Sequence, residues 1–404
     1  MKTRCLGTAL LAALPLAVAA QAQPVSDDVV RIGVLTDLSG VYSAGSGPGA
    51  VRAVEMAVAD FGGKVLGKRI EVVYADHQNK ADIGASKARE WFDVGRVDMI
   101  VDLVNSAVAV AVQKTGAEKK RITITTAGGT IALTQQECSP YGVHYAYDTY
   151  ALANGAGNAV LAEGGKNWFF LTADYAFGHS LEKDTRAVVE KRGGKVLGSV
   201  RHPLSTTDFS SYVLQAQAAR PDIVALANAG GDFANAVKAT REFGLVRDGK
   251  PRIVGLLVLL TDLKSLGLGT VQGMQYVDPW YWDYDDQTRA FAAKFQKVHP
   301  AMPTFSQAAN YSAVTQYLKA VEAAGTDSAD AVMQKLRATR FNDFFLRNAT
   351  LRADGRMVRD MYLMEAKSPA QSRGEWDLAS VKRVIPGDEA FMPLAQSACP
   401  LVRK

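Results

Sequence analysis

Residues 29–61 read VVRIGVLTDLSGVYSAGSGPGAVRAVEMAVADF, and this stretch decides the fold class of the chain. The apolar run Val29–Leu35 predicts a buried strand, and Pro48–Phe61 has the periodicity of a helix with proline in its first turn. A loop rich in glycine and hydroxyl side chains joins the two. A buried strand, a loop and an amphipathic helix in this order are typical of an α/β protein with a parallel sheet.

The same alternation continues along the chain as two successive units of similar size. The first unit adds predicted strands at Arg69–Ala75, Met99–Asp102 and Arg121–Thr125, and helices at Ala81–Phe92 and Ala107–Glu118. The second unit is predicted to contain helices Tyr150–Glu163, Tyr175–Arg192, Phe209–Ala219 and Gly231–Phe243, and strands Trp168–Thr172, Lys195–Val200, Asp222–Ala227 and Arg252–Val258. Helices are also expected at Gln287–Val298 and Ser306–Ala324. The strand-rich tail from Leu351 has too little core to fold alone, so we expect it to complete sheets built earlier.

The N-terminal segment MKTRCLGTALLAALPLAVAAQAQ predicts a secretory signal peptide. Lys2 and Arg4 give it a positive start, a mostly apolar stretch follows, and its last residues are small enough for cleavage. The apolar stretch is too short for a membrane-spanning helix. Cys5 precedes that stretch, which argues against a lipid anchor. We therefore expect residues 1–22 to be a signal peptide and the mature protein to be soluble in the periplasm.

Charge and cysteine content narrow the possible functions further. The net charge of +5 over 404 residues comes without a basic block, which argues against nucleic acid as a partner. Five scattered histidines show no metal-ligand spacing, so no metal site is predicted.

Two cysteines, Cys138 and Cys399, remain after the expected cleavage. In an oxidising compartment we expect a disulfide between them, and two separate buried thiols are the alternative.

The glycine-rich loop at residues 35–49 has three possible roles. A dinucleotide site is disfavoured, because Gly45, Gly47 and Gly49 lack the G-x-G-x-x-G spacing and lie about ten residues beyond the strand. A hydrolase nucleophile is disfavoured because no G-x-S-x-G occurs. Neither a cofactor nor an enzymatic activity is therefore expected. The remaining role is a ligand-facing loop at the carboxyl end of a strand, where open α/β sheets bind their ligands.

Other predicted strand ends have the same character in both units. Asn105 and Ser106 follow the third strand, and Gly128, Gly129 and Thr130 follow the fourth. In the second unit the matching positions are Tyr175, Phe177, Asn228 and Gly230. Each of these ends could be ordinary turn chemistry. A ligand held between two lobes needs contacts from both lobes, and each predicted unit has such a set of strand ends.

The order of three segments resembles the type I periplasmic solute-binding proteins of ABC importers, specifically the branched-chain-amino-acid receptor family. The segments are IGVLTDLSGVYSAGSGPGAVRAVEMAVADFGG, DYAFGHSLEKD and DFSSYVLQAQAARPDIVALANAGGDFANAVKATREFGL. The resemblance covers nearly the whole mature chain. It implies an α/β fold of two Rossmann-like lobes joined by three chain crossings, with ligand in the cleft and an ABC permease as partner. Lobe 1 is expected at residues 27–147 plus 278–350, and lobe 2 at residues 148–277 plus 351–404.

The resemblance also suggests which side chains meet the ligand. Ser106 and the Ala127–Thr130 turn match positions that hold a ligand carboxylate, while Tyr42 and Phe177 match aromatic positions. Amino-acid binders offer an acidic side chain to the ligand ammonium after the strand that corresponds to Arg252–Val258. Here that stretch is GLLVLL at residues 255–260, without a carboxylate. Burying an ammonium group without an acidic partner is costly, so an ordinary α-amino acid is disfavoured.

Aromatic residues near the expected cleft favour an aromatic carboxylate, such as a benzoate, cinnamate or phenylpyruvate. The chain is similar to the branch of the family associated with aromatic acids. The alternatives are a short amide, urea, an aliphatic acid or a branched-chain amino acid, and a sensory role instead of transport. The expected partners are thus a small organic anion and the permease, for a protein that acts as a monomer. The predicted ligand-binding residues are Tyr42, Asn105, Ser106, Gly128, Gly129, Thr130, Tyr150, Tyr175, Phe177, Asn228, Gly230, Leu257, Trp280 and Phe305.

Overall fold

The computed structural model describes residues 25–246 and 249–402. The predicted signal peptide at residues 1–22, with Cys5, lies outside these residues. Within the described ranges, no helix has both the length and the apolar character needed to cross a membrane.

The first lobe is built on a six-stranded sheet with strand order β2-β3-β1-β4-β5-β6. Neighbouring strands pair in parallel, except for the antiparallel pair β2 and β3. Helix α1 covers one face and helices α2 and α3 cover the other, which explains why the central strands are apolar on both faces. The elements are β1 (Val29–Thr36), α1 (Gly47–Asp60), β2 (Lys64–Val65), β3 (Lys68–Asp76), α2 (Ala81–Asp93), β4 (Met99–Asp102), α3 (Ser106–Lys119), β5 (Ile122–Thr125) and β6 (Gly142–His144).

The second lobe contains a four-stranded parallel sheet with strand order β10-β9-β7-β8. Its helices follow the strands in regular alternation, as the sequence predicted. The elements are α4 (Thr149–Leu152), α5 (Asn158–Ala162), β7 (Asn167–Ala173), α6 (Ala176–Lys191), β8 (Lys195–His202), α7 (Ser210–Ala219), β9 (Ile223–Ala227), α8 (Gly230–Glu242), β10 (Arg252–Gly255), α9 (Leu260–Leu266) and α10 (Leu268–Val271).

The chain then returns to the first lobe and ends with strands that complete the second. The elements are β11 (Gln275–Asp278), α11 (Asp286–Phe295), α12 (Phe305–Ala324), α13 (Ala329–Ala338), β12 (Arg340–Phe341), β13 (Ala349–Leu351), β14 (Met357–Val358), β15 (Met361–Ala366), β16 (Ala379–Ile385) and α14 (Gly387–Ala390). The antiparallel sheet β11-β15-β16 shares the hydrophobic core of the second lobe. The small sheet β12-β13-β14 shares the core of the first lobe.

Two predicted elements differ from the structure. The predicted helix Tyr150–Glu163 is divided into α4, a π-helical turn at Ala153–Gly157, and α5. The wide turn brings the backbone of Gly155 so close to Val277 that a Cβ at position 155 would lie 2.4 Å from a methyl group. The predicted strand Arg252–Val258 ends at Gly255, because the apolar residues after it form a buried loop instead of a longer strand.

Two buried arginines tie together the segments that pass between the lobes. Arg356 donates hydrogen bonds to the carbonyl oxygens of Tyr147 (2.8 Å) and His144, and its guanidinium lies 3.4 Å from the Asp148 carboxylate. Arg359 donates to the carbonyl oxygen of Pro279. Hydrogen bonds from these two arginines, which flank β14, therefore reach the segments that follow β6 and β11. The residue bounds of the two lobes stay a prediction.

A disulfide between Cys138 and Cys399 joins the C-terminal segment to the first lobe. The two cysteines are separated by 261 positions in sequence, so the bond closes more than half of the 404-residue chain into one loop. Beside it, the backbone N–H of Ala398 donates to the Gln135 side chain at 2.7 Å. The pairing expected from the sequence is thus present in the structure.

Removing the disulfide should lower the free energy of unfolding by about 2–4 kcal/mol, because the open chain gains entropy when it unfolds. The double variant Cys138→Ser/Cys399→Ser and the wild type, with and without reductant, are compared by urea denaturation. Reductant should destabilise the wild type and leave the double variant unchanged. Equal stability of the oxidised wild type and the double variant would contradict the expectation.

Candidate functional site

A cavity lies between the lobes at the carboxyl ends of the parallel strands, and its free volume of about 20 Å³ is room for about one water molecule. The lobes therefore have to separate to admit a small organic solute, since small-molecule sites typically measure about 300–1,000 Å³. Every segment that lines it follows a strand or begins a helix. The lining residues are Tyr42, Gly45, Ser46, Val104, Ala127, Tyr147, Tyr175, Phe177, Ala229, Leu257, Leu259, Phe305 and Ser306.

The loop from β1 to α1 supplies three of these residues, and its glycines explain how it reaches them. A Cβ at Gly40 would lie 2.7 Å from the Asp37 carboxylate, and one at Gly45 would lie 2.4 Å from Leu259. Gly47, at φ +40°, approaches the Asp37 carbonyl in the same way. Close packing requires these glycines, and the loop contacts both lobes because of it.

The two lobes contact each other beside the cavity. The hydroxyl oxygens of Tyr42 and Tyr175 are 2.5 Å apart, and the backbone N–H of Gly231 donates to the carbonyl of Val41 at 3.1 Å. Burial raises the pKa of both phenols above the ordinary value, so each keeps its proton at neutral pH. Only one of the two hydroxyls donates to the other, and the second proton is left for a ligand or for water.

Most of the wall is apolar or aromatic. Tyr147, Phe177 and Phe305 supply rings, with Tyr147 and Phe305 packed edge to face at 5.1 Å between centroids. Among the lining residues in the described ranges there is no carboxylate, amine, guanidinium or imidazole. A charged group on a ligand must therefore be met by hydroxyls and backbone groups.

Helix N-termini from both lobes begin at the cavity wall. Ser46 precedes the first residue of α1, and Tyr175 precedes that of α6, and neither helix has a side-chain cap. The exposed N–H groups and the helix dipole give these ends a partial positive charge that favours an anion. The N–H groups at the start of α6 thus add to the spare phenol proton of Tyr42 or Tyr175 as donors for a ligand carboxylate.

The turn predicted to hold a carboxylate lies directly behind the wall. Ser106 Oγ accepts hydrogen bonds from the backbone N–H groups of Gly129 (3.2 Å) and Thr130 (3.1 Å), and its own proton remains available to donate. Asn105 caps α3 by accepting from two backbone N–H groups. Both side chains are buried, and Val104 beside them lines the cavity.

The structure brings some of the predicted site residues to the cavity and places others elsewhere. Those that line it are Tyr42, Tyr175, Phe177, Leu257 and Phe305. Asn105, Ser106, Gly128, Gly129 and Thr130 form the buried turn behind it. Their roles in binding stay predictions.

Four predicted residues have other surroundings. Trp280 packs edge to face on Phe291 and Phe344 near a crossing, and Tyr150 lies in a separate groove with the C-terminal segment. The amide of Asn228 is 3.0 Å from the buried His202 ring. Gly230, at φ +58°, lies against the Val41 carbonyl, where a Cβ would be 2.4 Å from the oxygen.

Several lining residues were not predicted from the sequence. Tyr147 follows β6, a three-residue strand too short to give a periodic signal, and its hydroxyl donates to the Ala127 carbonyl at 2.7 Å. Ser306 is the second residue of α12, directly after the predicted Phe305. Ser46 lies in the glycine-rich loop after β1. Its position just before the predicted helix was the sequence signal that could have identified it.

A buried carboxyl group lies one side chain behind the polar part of the wall. Asp102 is fully buried at the end of β4, with φ +85°, and its Oδ1 accepts a 2.6 Å hydrogen bond from Ser46 Oγ. This carboxyl was not predicted, because the family resemblance directs attention to an acid after the strand Arg252–Val258. Ser46 and Ser306, which line the cavity, both contact the carboxyl.

Comparisons of the sequence and of the structure with known proteins agree on one family. A family model described as periplasmic binding protein matches residues 29–374. A curated relative from Brucella melitensis, named Leu/Ile/Val-binding protein homolog 6, is 26% identical over 317 residues, which cover 76% of this chain and 79% of the relative.

Solved structures agree closely with the fold. A periplasmic binding protein from Burkholderia mallei is 52% identical with a TM-score of 0.92, covering 94% of this chain and 100% of that one. A branched-chain amino acid ABC transporter periplasmic ligand-binding protein from Burkholderia xenovorans is 41% identical with a TM-score of 0.81, covering 93% and 100%. A Rhodopseudomonas palustris solute-binding protein in complex with benzoate shares the fold at 19% identity, with a TM-score of 0.78 and coverage of 88% and 96%.

Asp262 should make stability depend on pH. It is buried beneath Leu259, whose N–H it accepts at 2.9 Å, and burial raises the pKa of its carboxyl to about 7 from 3.8. The stability from this raised pKa is complete below the unfolded value and is lost as the pH rises through about 7. The free energy of unfolding should therefore fall between about pH 5 and about pH 8.

Asp262→Asn should remove part of that fall, whereas the exposed Asp82→Asn should not. Urea denaturation at both pH values provides the measurement. An unchanged slope in Asp262→Asn would show that this carboxyl does not titrate in the interval.

Proposed function

We propose, from the premise that the chain belongs to the periplasmic binding protein family, that it captures a small organic acid with an apolar or aromatic body. Proteins of this family bind small solutes in the periplasm and deliver them to the permeases of ABC transporters. The lobes would close on the acid in the cavity beside Tyr42 and Tyr175. Closure is favoured by binding because only the closed form lets both lobes touch the ligand.

The observation that carries this proposal is the composition of the wall. The uncapped N-terminus of α6 favours an anion, while rings and aliphatic side chains surround the rest of the space. An ammonium group in the same cavity would have no carboxylate in direct contact among the lining residues. Its desolvation would be poorly compensated, so an acid without an amine is favoured over an amino acid.

The relatives leave both kinds of ligand open. The names of two of them refer to branched-chain amino acids, and the Rhodopseudomonas palustris protein was solved with benzoate. The fold therefore admits either ligand, and the choice for this chain rests on the wall chemistry. A branched-chain amino acid is the second candidate, because the closer of the two relatives so named is 41% identical.

Matched ligand pairs separate the two candidates. We expect phenylpyruvate to bind more tightly than phenylalanine, and 4-methyl-2-oxopentanoate more tightly than leucine, because each pair differs at the amine while the carboxylate and the body are kept. Isothermal titration calorimetry on refolded, ligand-free protein gives the dissociation constants. Tighter binding of both amino acids would overturn the proposal in favour of the second candidate.

Ser106→Ala should weaken binding of the preferred acid by about 1–2 kcal/mol, if the Ser106 hydroxyl donates to the ligand anion. The loss should be smaller for the corresponding neutral amide, which distinguishes a contact with the charge from a general disturbance of the turn. An unchanged dissociation constant for the acid would remove Ser106 from the site. The melting temperature of the same variant measures how much stability is lost with the hydrogen bonds from Gly129 and Thr130.

A further inference from the structure

The polar part of the cavity wall has a fixed direction of hydrogen bonding. Ser46 Oγ donates to Asp102 Oδ1 at 2.6 Å, and Ser306 Oγ donates to Ser46 Oγ at 2.9 Å. Ser306 Oγ also lies 3.3 Å from the same carboxyl oxygen. Each hydroxyl has one proton, and both protons are committed away from the cavity. What these two lining residues can still offer a ligand is lone pairs.

Asp102 is held firmly in the position that orders this arrangement. Its Oδ1 also accepts from Asn310 Nδ2 at 2.8 Å, and that amide is oriented by the Ser306 carbonyl and by Thr126. Among the residues that the structure describes, no hydrogen-bond partner reaches Asp102 Oδ2, although the side chain is fully buried. A buried carboxyl with spare acceptor capacity keeps the neighbouring hydroxyls pointing toward it.

We propose that Asp102 is a positioning residue that makes the Ser46–Ser306 end of the cavity accept hydrogen bonds, so that the preferred ligand carries a hydrogen-bond donor besides its acid group. This inference rests on the proposed function and narrows its ligand class. An uncharged hydroxyl fits such an end, since it donates one hydrogen bond without bringing a charge that must be desolvated. The class is therefore a hydroxylated organic acid, with a phenol on an aromatic acid as the simplest form.

The first test compares ligands on the wild-type protein. Benzoate is compared with 3-hydroxybenzoate, 4-hydroxybenzoate and 4-methoxybenzoate by calorimetry. At least one hydroxybenzoate should bind about tenfold or more tightly than benzoate, because it adds a hydrogen bond to an acceptor backed by a carboxyl group. The methoxy compound has similar bulk but no proton to donate, so it should show no such gain.

The second test changes the wall. In Ser46→Ala and Ser306→Ala the advantage of the hydroxybenzoate over benzoate should shrink toward onefold. Asp102→Asn should reduce the same ratio, because an amide can donate to Ser46 and release the serine proton toward the cavity. Ser43→Ala is the matched control, since Ser43 lies in the same loop and donates to the Gly40 carbonyl away from the cavity.

The selectivity ratio distinguishes a positioning role from a structural one, because general loosening of the fold would weaken both acids together. Equal affinity for benzoate and the hydroxybenzoates in the wild type would overturn this inference and leave the proposed function standing. An unchanged ratio in Ser46→Ala and Ser306→Ala would do the same. Failure of every acid to bind, or tighter binding of leucine or phenylalanine with loss in Ser46→Ala, would refute the proposed function and this inference with it.

Discussion

The carboxylate of Asp37 is the constraint on which the binding cleft depends. It is fully buried, and it accepts hydrogen bonds from the backbone N–H groups of Gly40 (2.6 Å) and Tyr42 (2.9 Å) and from the Asn79 side chain at 2.8 Å. These bonds hold the loop after β1 in a compact form. The position of Tyr42 against the second lobe and of Ser46 at the start of α1 follows from it.

A cleft arranged in this way has two kinds of surface that act on different parts of a solute. Apolar area of a solute that is buried against the rings and aliphatic side chains contributes favourable free energy, with little directional preference. The N-terminus of α6 and the two serines are directional and complementary, because the helix end offers hydrogen-bond donors and the serines offer acceptors. We therefore expect a few polar atoms to discriminate between solutes of similar apolar bulk.

The fold was largely predictable because its signal is local. Strands such as Val29–Leu35 and Met99–Asp102, and the helices after them, are set by hydrophobic periodicity within a short window. The loop residues Leu256–Val258 were predicted as strand because a buried loop and a buried strand can have the same apolar composition.

The site was less predictable because it combines distant parts of the chain. The strand-end rule identified the loops that reach the cavity, and Tyr42 and Phe177 came from it together with the family resemblance. Ser306 arrives from a helix that the chain reaches only after building the second lobe, and Tyr147 follows a strand of three residues. The two serines act as acceptors because Asp102 lies behind them. Residues that meet only in the folded structure leave no spacing pattern in the sequence.

The divided construction of the lobes has a consequence for how the chain folds. The sheet β11-β15-β16 pairs Gln275–Asp278 with Met361–Ala366, and the residues between them build part of the other lobe. The second lobe thus cannot complete its sheet until β15 and β16 have been synthesised, long after its first strands. Cutting the gene at any single boundary would leave at least one lobe without a piece of its own core.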